Sequence, residues 1–239
     1  MPSEGCSRSQ LLFLLACIRE WVSGQGGRTL VVKTAPSCYA PSAHDLCHEC
    51  YLVSGFLPNH TYSNHYIPIG NEDFGLIIEP AERRRLVKGK KAGLEMSWKT
   101  GPIDETVVGF LRRCSAAHGY ECAESLEKLA NSTSLNPGNY VILTAVLHDK
   151  PVAAAVMVRV SDTILYHYTS GYLPEYRSLS PSLVLFEAAF AYARRENMAL
   201  LDLGISLDHR GHGKPSLSRF KERIGGKECV KIVYRAVLA

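Results

Sequence analysis

The sequence has no run of eighteen consecutive apolar residues, so nothing in it reads as a membrane-spanning helix. It has no lopsided charge either. With 27 basic and 23 acidic residues the formal net charge is +4, too mild to imply a nucleic-acid partner by itself. There is one candidate export signal, and it is a weak one. The short apolar run "LLFLLAC" (11–17) leads into "IREW" where a small-residue cleavage site would belong, so Leu11 to Val22 is expected to form an amphipathic helix. No second C-x-x-C accompanies Cys47 and Cys50. His44 and His48 stand nearby at spacings zinc can use, but structural zinc sites draw on two separated ligand pairs, and no metal is expected. No close internal repeat is visible.

What is present suits a globular chain. Its 239 residues, 46% of them hydrophobic, can bury a real core in one large domain or two small ones. The eight cysteines are even in number, but the chain is too long to read as a small disulfide scaffold. Without an export signal they are expected as thiols in a reducing, cytoplasmic compartment.

The first seventy residues carry little pattern beyond a strand at "TLVVKT" (29–34); "APSCYAPSAHDLCHEC" (35–50) has little periodicity. "GLIIEP" (75–80) reads as a strand ended by Pro80, and "AERRRLVKGKKAG" (81–93) as a helix stopped at Gly93. From residue 94 the text is clearer. "LEMSWK" (94–99) is an expected strand, Ile103 to His118 has helical periodicity, and "AESLEKLA" (123–130) is a second short helix. Three strands follow in quick succession at 140–147, 151–160 and 163–172, joined by short polar turns. A helix apolar on most faces (181–197), a strand (199–204), a basic helix (216–225) and a last strand (229–237) complete the order β-α-α-β-β-β-α-β-α-β. Such an order predicts an α/β fold with a mixed, mostly antiparallel twisted sheet flanked by helices.

The words "IIEPAERRRLVKGKKAGLE", "LYHYTSGYLPEYRSLSPSLVLFEAAFAYARREN", "LLDLG" and "LSRFKERIGG", taken as a set over about 75–230, resemble the GNAT superfamily of acyltransferases. Within it the chain is most similar to the branch holding FemAB-type peptidoglycan aminoacyltransferases and the BioF2-like acetyltransferase domain. Members often carry two such domains in tandem. The resemblance therefore implies a GNAT-like acyltransferase domain at 94–239, preceded by a partial or degenerate GNAT-like region with a basic linker helix at 1–93. It implies acetyl-CoA or another acyl-CoA as co-substrate and a small-molecule or peptide amine as acceptor. Three functions follow in order: a coenzyme A-dependent N-acyltransferase, a FemX-like transferase using aminoacyl-tRNA, and a non-catalytic domain that kept the fold. The acceptor's identity and the oligomeric state leave no mark in the sequence.

The resemblance also nominates residues. In this superfamily the turn before the 181–197 helix cradles the coenzyme A pyrophosphate, as helix N-termini with open N–H groups can. The usual glycine-rich arginine/glutamine loop is absent; Arg177, Ser178, Ser180 and Ser182 stand in its place. Ser180 could equally serve as an ordinary helix cap. In the superfamily the strand at 163–172 splays from its neighbour and its free backbone pairs with the pantetheine arm. Strict alternation there puts Tyr166, Tyr168 and Ser170 on one face and His167 on the other, and Tyr168 is a candidate for both donor binding and catalysis. Asp202, flanked by Leu201 and Leu203, could accept a proton from the amine or anchor the "GISLDHRGHG" loop. His209 and His212 in that loop are weaker proton acceptors to consider. Phe220 and Lys221 match the family's "FK" word, whose lysine is implicated in substrate phosphate contact in FemX-type enzymes. Cys114, His118 and Cys122 recur at four-residue intervals, a spacing that could bring metal donors onto one helix face. The basic helix at 81–93, with Arg83, Arg84, Arg85, Lys88, Lys90 and Lys91, could meet a polyanion such as tRNA or simply face solvent; it has no interleaved aromatic for base stacking.

Overall fold

In the computed structural model, residues 6–119, 123–208 and 211–238 are described. Contacts divide the chain into two compact units, 1–64 with 228–239 and 65–227. The basic helix lies inside the second unit, so this division by packing differs from the division at 93/94 drawn from the sequence.

The first unit begins with helix α1 (Arg8–Gly24), opened by a reciprocal cap in which the Ser7 hydroxyl receives the Gln10 N–H and the Gln10 side chain receives the Ser7 N–H. Strand β1 (Thr29–Lys33), helix α2 (Pro41–Val53) and most of strand β2 (Leu57–Pro68) follow, and the chain returns to this unit in the last strand, β8 (Lys227–Val237). β1 pairs antiparallel with β8 from Thr29↔Val237 to Lys33↔Val233. The helices close over that pair with Leu11, Leu15 and Cys50 against Phe56, Tyr234 and Ala236. Helix α2 falls in the stretch that shows little periodicity, and β2 in the polar "HTYSNHY"; neither carries an apolar stripe that a pattern search would find.

The second unit contains α3 (Phe74–Ile77), α4 (Pro80–Lys91), β3 (Glu95–Thr100), α5 (Glu105–Ala117), α6 (Ala123–Leu135), β4 (Tyr140–Leu147), β5 (Lys150–Ser161), β6 (Ile164–Tyr172), α7 (Pro181–Arg195), β7 (Leu200–Ile205) and α8 (Pro215–Arg223). Its strands lie in the order β7-β6-β5-β4-β3. Every neighbouring pair is antiparallel except β6 and β7, which run parallel. This is the mixed, mostly antiparallel sheet flanked by helices that the element order predicts. Strand alternation sorts the core into two layers. Val141, Leu143 and Ala145 of β4 pack with α4 and α7, whereas Ile142 packs with Phe110 and Leu111 of α5 and Leu129 of α6. One expectation fails here: "GLIIEP" is not a strand. Phe74, Ile77 and Ile78 turn inward at helical spacing while Leu76 points to solvent, so the apolar run buries itself through one helical turn.

Candidate functional site

β6 is paired with β5 along its length, but its parallel pairing with β7 covers only Ile164↔Leu200, Leu165↔Leu201 and Tyr166↔Asp202. Beyond that point β6 continues to Tyr172 and β7 to Ile205 with no register between them. Parallel strands that part leave backbone donors and acceptors facing the gap. The gap is a cleft of ≈ 640 Å³, walled by β6, the ends of β7 and α8, and side chains of α5 and α7.

A bulge shapes the β6 wall. Val156 faces Thr169 and Met157 faces His167, so Tyr168 is passed over in the register. An inserted residue breaks strict alternation. Tyr166, His167, Tyr168 and Ser170 all border the cleft. His167, opposite Met157 and against Phe186, stays on the face away from Tyr166 as alternation expects, whereas Ser170, opposite Ala155 of the same core layer, is turned off the Tyr166 face by the bulge. Tyr168 is 46% exposed and lies edge-on to Tyr166, with ring centroids 6.3 Å apart. Burial raises the Tyr166 pKa, and the Asp202 carboxylate adds to the effect. His167 is the residue the sequence reading missed. Its Nε2 is enclosed with no protein partner, and its ring sits 5.0 Å from that of Phe186. Burial, then the Lys221 charge, push its pKa down to about 4, so the imidazole is neutral at neutral pH.

Asp202 and Lys221 meet around Gly204. Asp202 is buried, and its Oδ1 accepts the Gly204 N–H at 2.8 Å. Gly204 has φ +75°, and a Cβ there would lie 3.3 Å from the Tyr166 ring. Lys221, 3% exposed, donates from Nζ to the carbonyls of Gly204 at 2.7 Å and Ile205 at 2.8 Å. Burial lowers its pKa to about 8, a shift the Asp202 charge opposes. The carboxylate and the ammonium together fix the open end of β7. Phe220, one residue before Lys221, packs on the core with its ring 5.9 Å from Phe186.

A second cleft, ≈ 780 Å³, adjoins the first and shares Tyr172, Arg177, Ser182 and Phe220 with it. It lies at the N-terminus of α7, where Ser178 and Ser180 also line it. Ser180 has φ 52° and ψ 52° and makes no side-chain cap, which sets aside the reading of Ser180 as an ordinary cap. Pro181 has no N–H to satisfy. Arg85 and Lys88 of the basic helix form another wall. Buried Glu82 holds Arg85 at 3.0 Å and Arg223 at 2.7 Å, and Lys90 pairs with Glu187 at 2.7 Å, so part of that helix's charge is spent inside the unit.

Of the remaining candidates, Cys114 and His118 also border the first cleft. His212 is exposed, 3.6 Å from Asp208, and borders neither cleft; His209 is outside the described residues. His48 Nδ1 meets the Tyr234 hydroxyl at 2.5 Å, and Cys50 is buried, its thiol directed to the Arg8 carbonyl. His118 turns back to the Cys114 carbonyl at 2.8 Å; Cys122 is outside the described residues. Among the described residues no three His, Cys, Asp or Glu side chains gather as metal ligands, and no helix is long and apolar enough to cross a membrane.

Comparison with known proteins matches residues 74–221 to the family model described as acetyltransferase (GNAT) domain. The solved structure of FemX superposes with a TM-score of 0.76 at 11% identity, covering 97% of this chain and 77% of that one. L-PGS from Bacillus licheniformis gives 0.62 at 11% identity, covering 94% and 73%. A tandem GNAT protein from the clavulanic acid biosynthesis pathway gives 0.58 at 12% identity, covering 94% and 69%. At such identities the likeness is one of fold. No curated protein matches the chain by sequence.

Proposed function

Because this chain belongs to the acetyltransferase (GNAT) domain family, whose model covers most of the second unit, we propose that it moves an acetyl or other acyl group from acyl-CoA to an amine by direct attack. Acyl transfer is the general chemistry of the family. The observation that carries the donor assignment is the continuity of the two clefts. One opens where β6 and β7 part, and the other ends on the uncapped N-terminus of α7.

The residues fit such a donor. Arg177, Ser178, Ser180 and Ser182, with Arg85 and Lys88 opposite, offer positive charge and hydroxyls to a pyrophosphate, and the α7 N-terminus adds its partial charge. The β6 edge from His167 to Tyr172, with Tyr168 and Ser170 on it, offers backbone partners to an extended arm. When bound, the thioester supplies an activated carbonyl. Asp202 and Lys221 act as positioning residues that hold β7 apart from β6. Neutral His167 accepts a hydrogen bond from the incoming amine and orients it; the Tyr168 hydroxyl delivers a proton to the leaving thiolate and regains one, by way of water, from the nitrogen as the amide forms. The acceptor is a small-molecule or peptide amine.

Calorimetric titration with acetyl-CoA and with free coenzyme A tests this. One saturable site is expected, weakened at least tenfold by Arg177→Ala. Absence of binding at roughly millimolar ligand overturns the donor assignment. A second reading, transfer from aminoacyl-tRNA, is favoured by Arg85 and Lys88 bringing the basic helix to the cleft wall. It requires tRNA binding whose affinity falls steeply with salt. A chain that binds neither is a non-catalytic domain retaining the fold.

A further inference from the structure

We propose that Cys38 and Cys229 form a redox-active thiol pair that closes to an intramolecular disulfide within the first unit. Their Sγ atoms are 3.0 Å apart, about 1 Å longer than a disulfide bond and closer than unbonded sulfurs ordinarily rest. The approach is built by the backbone around it. Past Lys33↔Val233, the last pair of the β1–β8 ladder, Thr34 continues alongside β8: its N–H donates to the Ile232 carbonyl at 3.1 Å and its hydroxyl receives the Ile232 N–H at 3.2 Å. Three residues on, the Ser37 hydroxyl receives the Val230 N–H at 3.2 Å. Cys38 and Cys229 are the next residues along the two lines, held in register by three hydrogen bonds.

The chemistry separates this pair from Cys47, Cys50 and Cys114. Asn64, 1% exposed, directs its Nδ2 to Cys229 Sγ at 3.6 Å, a donor that favours the thiolate form. Both residues are half-buried. Burial raises the pKa of Cys47 and Cys50 in the same unit and lifts Cys114 to about 11, so those thiols give little thiolate. With a low-molecular-weight disulfide such as oxidised glutathione as oxidant, the Cys229 thiolate attacks one glutathione sulfur, breaks the glutathione S–S bond and releases one glutathione thiolate. Cys38, losing its proton to solvent, then attacks Cys229 Sγ in the mixed disulfide and expels the second glutathione thiolate. Two cysteines are oxidised, one glutathione disulfide is reduced, and each released thiolate takes up a proton. The new bond joins the N-terminal and C-terminal stretches that make up the first unit. In a reducing pool the pair stays as two thiols.

The test incubates the full chain in glutathione redox buffers of increasing oxidised fraction, traps remaining thiols by alkylation and maps peptides by mass spectrometry. A Cys38–Cys229 cross-linked peptide, two hydrogens lighter than the reduced pair and absent after reductant, is expected. Oxidised wild type should also melt at a higher temperature than reduced wild type, a difference absent in Cys38→Ser. Alkylation of both cysteines at every ratio, separate glutathione adducts without a cross-link, or a cross-link to another cysteine would each overturn the proposal. The wild-type map decides the matter even if a serine variant folds poorly, and no readout depends on acyl transfer.

Discussion

Lys221 sits where its ammonium has exchanged water for two backbone carbonyls. Lys221→Ala leaves both carbonyls buried without that donor, so it should lower stability by about 2–4 kcal/mol in urea unfolding as well as lower turnover. A variant with wild-type stability would mean the lysine is not holding β7. His167 gives a pH signature of its own. An exposed imidazole titrates near 6.5, while folded His167 titrates near 4, so the unfolded chain binds more protons between those values. Its contribution to stability is therefore present above pH 6.5 and is lost as pH falls toward 4. His167→Phe should reduce the stability lost between pH 6.5 and 4 by up to about 3 kcal/mol. Denaturant melts at both pH values check this, and identical losses in variant and wild type would contradict it. The sequence made Asp202 and Lys221 visible as polar residues set in apolar or basic runs. It hid His167, because alternation set it opposite Tyr166 and nothing local shows that the strand's edge opens beside it.

At the scale of elements, two glycines near the clefts let backbones come close to their neighbours. Gly204 turns the end of β7 with φ +75° beneath the Tyr166 ring. Gly204→Val should cost about 2–4 kcal/mol, from left-handed strain and crowding together, and lower the thermal midpoint; an unchanged midpoint would argue against this role. Gly89 lets α4 approach the segment before α7: a Cβ there would lie 2.6 Å from the Leu179 carbonyl oxygen. Gly89→Ala should cost about 1–3 kcal/mol and displace Arg85 and Lys88 from the cleft wall, read as weaker coenzyme A binding. From β3 onward nearly every element was legible, because each strand or helix there carries its own apolar period and is punctuated by proline, glycine or a short polar turn. The earlier elements were not. α2 and β2 each bury few of their residues, so their sequences carry no repeating apolar face. The apolar run before Pro80 looked like a strand because four successive residues cannot distinguish alternation from a single helical turn.

At the scale of the whole molecule, a ligand that binds the folded chain and not the unfolded one stabilises it by mass action. Acetyl-CoA at 100 times its dissociation constant should add about 2.7 kcal/mol and raise the thermal midpoint, while Arg177→Ala should need more ligand for the same shift. No shift for wild type at saturating ligand would count against acyl-CoA as donor. The sequence by itself determined the α/β class, the strand and helix order after residue 94, and the acyltransferase family, because these follow from local periodicity and from words a few residues long. Only the tertiary structure decided that β6 parts from β7 after three paired residues, that Ser180 leaves the α7 N-terminus uncapped, and that Lys221 reaches back to the carbonyls of β7. It also decided that Cys38 comes to rest beside a cysteine 191 residues away. Each of these depends on where two distant segments stop pairing or begin to touch, and a linear pattern encodes the partners without fixing where they meet.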